Sequence, residues 1–283
     1  MGTLVLARKV QTPQGPVDYS TIDAASDGGA NPGAQLDEAS GAYFRLPEGY
    51  DPESARTYPL LIHLHGSGWN PYLYYLSYIG MGYTSLSLTA QSDQTMGDAF
   101  RAARHCFVLV PITEDSTWDA SALSTLVDSF IATWPIDENR VYAHGWSMGG
   151  TGTRNLAITR AADGKPLAAI FSVTGSLAPS LGDAVWAKTS IWVGCGDLDP
   201  DPRPALAAGI YAEGNAYWTE AETASLSRTR ETLEENILSA TLGGLVINRL
   251  VTWPALDHDS RDMALSLPEL IDWTFAQSLT NHP

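Results

Sequence analysis

Short, unbroken apolar runs alternate along the chain with segments whose apolar residues recur at helical spacing. An unbroken run is typical of a strand that is covered on both faces, as in a parallel sheet. Such runs occur at residues 58–66, 106–111, 140–144, 167–173, 190–195 and 246–253. Their alternation with helical segments predicts an α/β fold, with a mostly parallel central sheet and helices on both of its faces.

The segments with helical spacing complete this picture. They are residues 95–103, 120–133, 150–162 and 220–239, and an amphipathic segment at 266–275. Two further strands are predicted at residues 4–10 and 41–46, and residues 1–40 form an N-terminal strand and loop region. Residues 201–221 are weakly patterned and are expected to shape one wall of a pocket. Since no linker interrupts this order, we expect residues 1–283 to form a single domain.

The net charge of the chain limits the classes of partner that such a domain can bind. The 283 residues include 32 acidic and 16 basic side chains, which gives a formal net charge of −16. A surface of this sign repels phosphate backbones and anionic lipids, so we expect neither a nucleic acid nor a membrane as a partner. The sequence leaves the oligomeric state open.

The sequence says less about the cellular compartment of the protein than about its binding partners. No apolar run approaches the roughly 18 residues of a membrane span, and the segment from Met1 to Lys9 lacks the apolar core of a secretion signal. Either a signal has been removed from a secreted protein, which we expect, or the protein is cytoplasmic.

Cys106 and Cys195 are the only cysteines, and both lie in apolar runs at opposite ends of different predicted strands. We therefore expect two free, buried thiols rather than a disulfide.

The sequence Gly145-Trp146-Ser147-Met148-Gly149 lies between a predicted strand and a predicted helix. In that context the glycines of a G-x-S-x-G motif let the backbone bend sharply, and the serine oxygen is exposed above a sheet edge with a helix N-terminus behind it. The pentapeptide alone is a weak signal, because chains rich in glycine and serine match it by chance. A glycine-rich turn with a surface serine is the alternative, but the context makes Ser147 the candidate nucleophile.

A serine hydroxyl needs an imidazole to accept its proton and a carboxylate to orient that imidazole. On this fold the three follow the order serine, acid, histidine, each after a later strand. Among six histidines only His258 and His282 follow every candidate acid, and His282 lies next to the end of the sequence, where chains fray. His258 is therefore the candidate base, with a solvated loop histidine as the alternative.

Aspartates that follow the strand run 190–195 compete for the role of the acid. Asp199 and Asp197 each lie three residues after a glycine, and we favour Asp199 because the strand then ends before the turn and Asp197 is left to cap it. A calcium loop is the rival interpretation of the alternating aspartates. Pro202 and Ala208 stand where an EF-hand would have glycine and glutamate, so we expect no metal, and no cofactor either.

Negative charge develops on the carbonyl oxygen of an ester when a serine attacks, and donors must already point at that oxygen. The backbone N–H of Met148 supplies one donor. The second is expected from the Gly66-Ser67-Gly68 turn after the first buried strand, namely the N–H of Ser67. A flexible turn is the alternative interpretation of this glycine-rich sequence.

Several segments together resemble the α/β-hydrolase superfamily, at residues 45–50, 59–68, 136–142, 145–150 and 196–200. Within it, the chain is most similar to feruloyl-esterase and polyhydroxybutyrate-depolymerase-like carboxylesterases over about residues 41–280. This resemblance implies a serine carboxylesterase for aryl, short-chain or polymeric esters. Prolyl-oligopeptidase-type peptidases have similar catalytic domains, but this sequence lacks their propeller domain.

Aromatic residues near the candidate site suggest where a substrate binds. Trp69 follows the oxyanion turn, Trp118 follows the strand run 106–111, and Trp146 is inside the serine motif. Their rings could stack on an aryl acid, a sugar or a polymer segment, with core packing as the alternative. Two other functions stay open: a serine peptidase, and a non-catalytic hydrolase-fold protein that binds a ligand.

Overall fold

The structure is a computed structural model of the chain. It describes residues 9–12, 15–18, 34–36, 43–45, 47, 50–67, 106–111, 113, 115–175, 180–200, 203–221, 226–231, 237–242, 245–258 and 268–282. The helix predicted at residues 95–103, most of the strand predicted at residues 4–10, and Trp69 lie outside these ranges.

The described residues include twelve strands. They are β1 (Lys9–Thr12), β2 (Gly15–Asp18), β3 (Ala34–Leu36), β4 (Tyr43–Arg45), β5 (Tyr58–Leu64), β6 (Phe107–Val110), β7 (Ile136–Trp146), β8 (Ala169–Val173), β9 (Ser190–Gly196), β10 (Leu226–Glu231), β11 (Ile237–Leu242) and β12 (Leu245–Trp253). β1 and β2 pair with each other, and the others form one sheet in the order β10-β11-β12-β9-β8-β7-β5-β6-β4-β3. The stretch from β12 to β6 is parallel, and the pairs outside it are antiparallel.

Helices connect the parallel strands. They are α1 (Ala120–Thr133), α2 (Met148–Ala162), α3 (Asp183–Trp186), α4 (Arg203–Ala221) and α5 (Pro268–Ala276), followed by a 3₁₀ turn at Leu279–Asn281. α1 begins where the sequence predicts, because the Asp119 side chain accepts hydrogen bonds from the backbone N–H groups of Ser121 and Ala122. Within the described ranges, no helix has the length and apolar character needed to cross a lipid bilayer.

The central strands are buried on both faces. In β5, Leu60 and Ile62 pack into one hydrophobic cluster with residues of α1 and α2, whereas Leu61 packs into a second cluster with Trp273 of α5. Successive side chains of a strand point to opposite faces, so the two clusters lie on the two sides of the sheet. This burial explains the unbroken apolar runs and confirms the predicted α/β fold.

The prediction of a helix at residues 220–239 is wrong. Residues 226–231 and 237–242 form β10 and β11, and β11 pairs with the edge of β12. Leucine, arginine and glutamate favour helices in isolation, but an open sheet edge offers backbone partners that override such weak preferences. The helix lies earlier, as α4, in the stretch that the sequence analysis found unpatterned; its alanines favour a helix without producing an amphipathic stripe.

Cys106 and Cys195 are buried thiols that form no disulfide, as predicted. Burial raises the pKa of the Cys195 thiol to about 11. Because the thiolate is the reactive form of cysteine, Cys195 is a poor nucleophile at neutral pH.

Candidate active site

The segments that carry the predicted catalytic groups all follow parallel strands. Ser67 lies in the turn after β5, Ser147 follows β7, Asp199 follows β9 and His258 lies in the loop after β12. The carboxyl ends of parallel strands meet at one edge of a sheet. Residues that are far apart in the sequence are therefore brought to the same edge.

Ser147 lies in a strained turn between β7 and α2. Its backbone has φ 56° and ψ −118°, a conformation that residues other than glycine rarely adopt. A Cβ at Gly145 would meet the backbone of Gly149, and a Cβ at Gly149 would meet the backbone carbonyl of Leu64. Both glycines of the motif are therefore required by close backbone approach, as a sharp strand-to-helix turn demands.

The hydroxyl of Ser147, the imidazole of His258 and the carboxylate of Asp199 form a continuous hydrogen-bonded row. His258 Nε2 is 2.8 Å from Ser147 Oγ, and His258 Nδ1 is 3.0 Å from Asp199 Oδ1. Because an ionised carboxylate only accepts hydrogen bonds, Nδ1 is the protonated nitrogen of the neutral ring, and Nε2 faces the hydroxyl as an acceptor. This geometry lets the imidazole take the proton of the serine.

Asp199, and not Asp197, is the carboxylate that contacts the imidazole. Asp199 is 4% exposed, whereas Asp197 lies on the surface. The turn that carries both is tied to the strand before the histidine loop, because the backbone N–H of Asp197 donates to the carbonyl of Trp253 at 3.0 Å. A Cβ at Gly196 would meet the carbonyl of Leu256, so the two loops pack backbone against backbone.

Arg203, the first residue of α4, binds the same carboxylate and was not predicted from the sequence. Its Nη1 is 3.2 Å from Asp199 Oδ1, the oxygen that also accepts from His258. The guanidinium balances the buried negative charge of Asp199 and helps to fix its orientation. The only sequence signal for this contact is the four-residue separation of the two side chains, which is common to many surface ion pairs.

The N-terminus of α2 provides the first predicted oxyanion donor. Met148 is the first residue of the helix, and the first backbone N–H groups of a helix have no acceptor within it. Ser67 lies in the exposed turn after β5, at the same edge of the sheet. Both predicted donors therefore lie on segments at the edge of the sheet that carries Ser147.

His65 fixes the oxyanion turn, a role that the sequence analysis missed. The backbone N–H of Thr113 donates to His65 Nε2 at 3.1 Å, so Nδ1 carries the proton and donates to the carbonyl of Gly66 at 2.8 Å. Burial lowers the pKa of His65 to about 4, so the ring is neutral at physiological pH. Its place in the His65-Gly66 sequence at the end of β5 was the available signal.

Trp146 connects the serine turn to two neighbouring loops. Its indole N–H donates to the backbone carbonyl of His258 at 3.0 Å, and its ring lies 5.2 Å from the imidazole between centroids. A Cβ at Gly66 would come within 2.5 Å of the same indole ring. The residue inside the motif therefore contacts both the histidine loop and the oxyanion turn.

Trp118, predicted to bind substrate, lies beneath the oxyanion turn. It is 5% exposed, and its indole N–H donates to the carbonyl of His65 at 3.1 Å. Its ring packs edge-on against the imidazole of His65 with a centroid distance of 4.7 Å, and its other side lies against Gly152. The ring thus supports the turn and offers no open face, while Trp69 lies outside the described residues.

The remaining histidines near the sheet are not suited to act as bases. His63 and His144 are neighbours on β5 and β7, with 2.8 Å between Nδ1 of the first and Nε2 of the second, and burial lowers the pKa of His144 to about 4.

In the part of the chain that the structure describes, no group of three or more histidine, cysteine, aspartate or glutamate side chains is arranged to hold a metal ion.

Comparison with known proteins identifies structural relatives. No protein-family model and no curated protein matches the sequence. A thermostable esterase has a TM-score of 0.56 and 21% identity, with the match covering 87% of this chain and 62% of the esterase. An acetyl xylan esterase from Aspergillus awamori has a TM-score of 0.51 and 14% identity, over 82% of this chain and 93% of that enzyme.

These identities are low enough that the likeness concerns the fold. The chain spans less than two thirds of the thermostable esterase, whereas the match covers nearly all of the acetyl xylan esterase. The mostly parallel sheet and the helices on both of its faces agree with this likeness. The chain has the α/β-hydrolase fold.

Proposed function

We propose that the protein is a serine carboxylic-ester hydrolase that works through an acyl-enzyme. The observation that supports this proposal most is the row formed by Ser147, His258 and Asp199, in which the imidazole contacts both the hydroxyl and the carboxylate at hydrogen-bonding distance. A serine hydroxyl is otherwise a poor nucleophile, and this arrangement is the one that activates it.

The proposed reaction follows from the tautomer of the base. His258 Nε2 takes the proton of Ser147 while Oγ attacks the ester carbonyl, and Asp199 stabilises the imidazolium that results. The negative charge on the carbonyl oxygen is held by the backbone N–H groups of Met148 and Ser67. The imidazolium then protonates the leaving alcohol, and a water molecule activated by the same base releases the acid from Ser147.

The proposed substrates are aryl, short-chain or polymeric esters. An acetyl xylan esterase is among the structures that this chain resembles, and the motifs of this chain resemble those of feruloyl-esterase-like carboxylesterases. The ring of Trp146 lies beside the imidazole and is the described aromatic residue best placed to contact an aryl or sugar group. Trp69 stays a candidate for the same role.

Secretion and a single domain belong to the same proposal. A polymeric ester that lies outside the cell can be attacked only by an exported enzyme, so such a substrate would favour secretion. A short-chain substrate is equally compatible with the cytoplasm. Fractionation of producing cells, with activity measured in the medium and in the lysate, separates the two.

An ester panel tests the proposed function. The purified chain is incubated with p-nitrophenyl acetate and butyrate, methyl ferulate and an insoluble polyester, and each kcat/KM is measured. We expect turnover of at least one ester, and loss of about 10⁴-fold or more in Ser147→Ala. Ser129→Ala, which changes an exposed serine on α1, is the matched control and should keep full activity.

Two outcomes would favour the alternative functions. Turnover of p-nitroanilides at rates comparable to the esters would indicate a peptidase. Absence of turnover on every substrate, together with a folded protein, would indicate a non-catalytic binding protein of the same fold.

A further inference from the structure

A buried cation near the candidate site has no counter-ion among the described residues. Arg154 lies on α2, seven positions after Ser147, and is 2% exposed. Its Nε donates to the carbonyl of Gly150 at 3.3 Å, and no carboxylate in the described ranges forms an ion pair with it. Burial lowers the pKa of Arg154 to about 10, so the group is still charged at neutral pH. An isolated buried charge is strongly unfavourable unless something compensates it.

Arg160 on the same helix is also a buried guanidinium, but its charge is compensated by a carboxylate. It is 3% exposed, and its Nη1 donates to the carboxylate of Asp128 at 2.9 Å. The helix therefore carries two buried guanidinium groups, of which Arg160 pairs with a carboxylate and Arg154 has no carboxylate partner among the described residues.

A small cavity adjoins the unpaired guanidinium. It has a volume of about 10 Å³, and its described lining includes Arg154, Arg203, Ser172 and Thr174 but no acidic side chain. Thr174 Oγ1 and Arg203 Nε are buried and have no hydrogen-bond partner in the described structure. The guanidinium groups of Arg154 and Arg203 and the hydroxyl of Thr174 therefore line one small cavity, in which Arg203 also binds Asp199.

We propose that this cavity binds a small monovalent anion, a halide of the size of chloride, between Arg154, Arg203 and the hydroxyl of Thr174. A volume of this size holds about one water-sized ligand, so a halide fits it better than sulfate, phosphate or an organic carboxylate. The formal charge of −16 does not oppose binding, because the surface charges are distant and screened, whereas the guanidinium of Arg154 lines the cavity and has no carboxylate partner among the described residues. The negative charge of the nearby Asp199 is offset by Arg203. Since Arg203 also binds Asp199, the anion lies directly behind the carboxylate of the catalytic row.

Thermal unfolding tests this site without reference to catalysis. The protein is transferred into sodium gluconate buffer, and its Tm is measured while chloride replaces gluconate at constant ionic strength. A ligand that binds only the folded state raises Tm in a saturable way, and we expect a rise of about 3 °C at ten times the half-saturating concentration. Bromide should act like chloride, whereas sulfate at the same ionic strength should give no saturable step at these concentrations.

Paired variants localise the effect. In Arg154→Met the chloride and gluconate curves should coincide, because the charge that binds the anion is gone. In Arg160→Gln, the matched change two turns along α2, the chloride-dependent rise should persist on a lower baseline. If the wild-type protein shows no halide-specific rise, or if Arg154→Met retains it, the proposal is overturned and the cavity holds water only or the anion binds elsewhere.

Crystals soaked in bromide give a direct readout that does not depend on any variant folding. An anomalous peak between Arg154 and Arg203 is the expected result. Absence of that peak at saturating bromide contradicts the proposal, whatever the activity of the protein towards esters.

Discussion

The groups around Ser147 are held in place in two different ways. In the acid and base loops, after β9 and β12, charged or titratable side chains contact one another: Asp199 binds both His258 and Arg203. In the oxyanion turn after β5, a buried neutral imidazole, His65, joins the backbone of two segments. In the proposed reaction a proton moves through the first region, whereas the donors of the second stay fixed. Substitutions in the two regions should therefore have different kinetic and structural effects.

The largest loss of activity is expected when Asp199, the proposed acid, is replaced. In Asp199→Asn the carboxylate that selects the Nδ1–H tautomer and stabilises the imidazolium is lost, and we expect kcat to fall by about 10⁴-fold. The fold should survive, because the amide is isosteric and Arg203 is partly exposed. Ester turnover and far-UV circular dichroism measure the two quantities.

Asp197→Asn is the matched control for the acid. It makes the same chemical change two positions away on an exposed side chain, and kcat should stay within about twofold of the wild type. Equal losses in the two variants would mean that the acid is not Asp199.

A substitution that disturbs the oxyanion turn should lower kcat less than loss of the acid, because it displaces a hydrogen-bond donor and leaves the proton acceptor in place. In His65→Ala the hydrogen bonds to Thr113 and Gly66 are lost, so the turn that carries the Ser67 N–H is no longer fixed. We expect kcat to fall by about 10²-fold, comparable to the loss of one oxyanion donor, with KM nearly unchanged. His144→Ala, which removes another buried histidine, should lower Tm but leave kcat of the folded enzyme close to normal.

Buried neutral histidines also make the fold sensitive to acid. Burial lowers the pKa values of His65, His144 and His282 from 6.5 to about 4 in the folded protein. The unfolded chain binds these protons first, so the stability they contribute is present above pH 6.5 and is lost as the pH falls towards 4. Each histidine should lower the free energy of unfolding by about 2 kcal/mol between pH 7 and pH 5.

Urea denaturation at pH 7, 6 and 5 measures this loss. The slope against pH gives the number of protons taken up on unfolding, and His144→Gln should reduce that number by about one below pH 6. A free energy of unfolding that stays constant from pH 7 to pH 5 would contradict the assignment of these rings as neutral.

The sequence predicted the centre of this molecule better than its edges. Strands buried on both faces leave unbroken apolar runs, so β5 to β9 were located from the sequence. β10 was not, because its pairing depends on a partner strand and not on its own residues. Spacing alone left Asp197 and Asp199 both possible as the acid, and only the fold shows which carboxylate is buried against the imidazole. The contact of Arg203 with Asp199 has only a common four-residue spacing as its signal, and the contact of His65 with Thr113 joins segments 48 residues apart.

The smallest expected effect concerns the link between the serine turn and the histidine loop. In Trp146→Phe the apolar ring beside His258 is kept, but the hydrogen bond from the indole N–H to the carbonyl of His258 is lost. A neutral hydrogen bond of this kind contributes about 1 kcal/mol, so we expect kcat/KM to fall by roughly fivefold as the imidazole becomes less well positioned. Trp273→Phe removes an equivalent bond, to the carbonyl of Val246 at 2.8 Å in the second hydrophobic cluster. Trp273→Phe should lower the free energy of unfolding by about as much as Trp146→Phe, but it should leave kcat/KM unchanged. If both variants lose activity equally, the effect comes from general destabilisation, and Trp146 does not position the base.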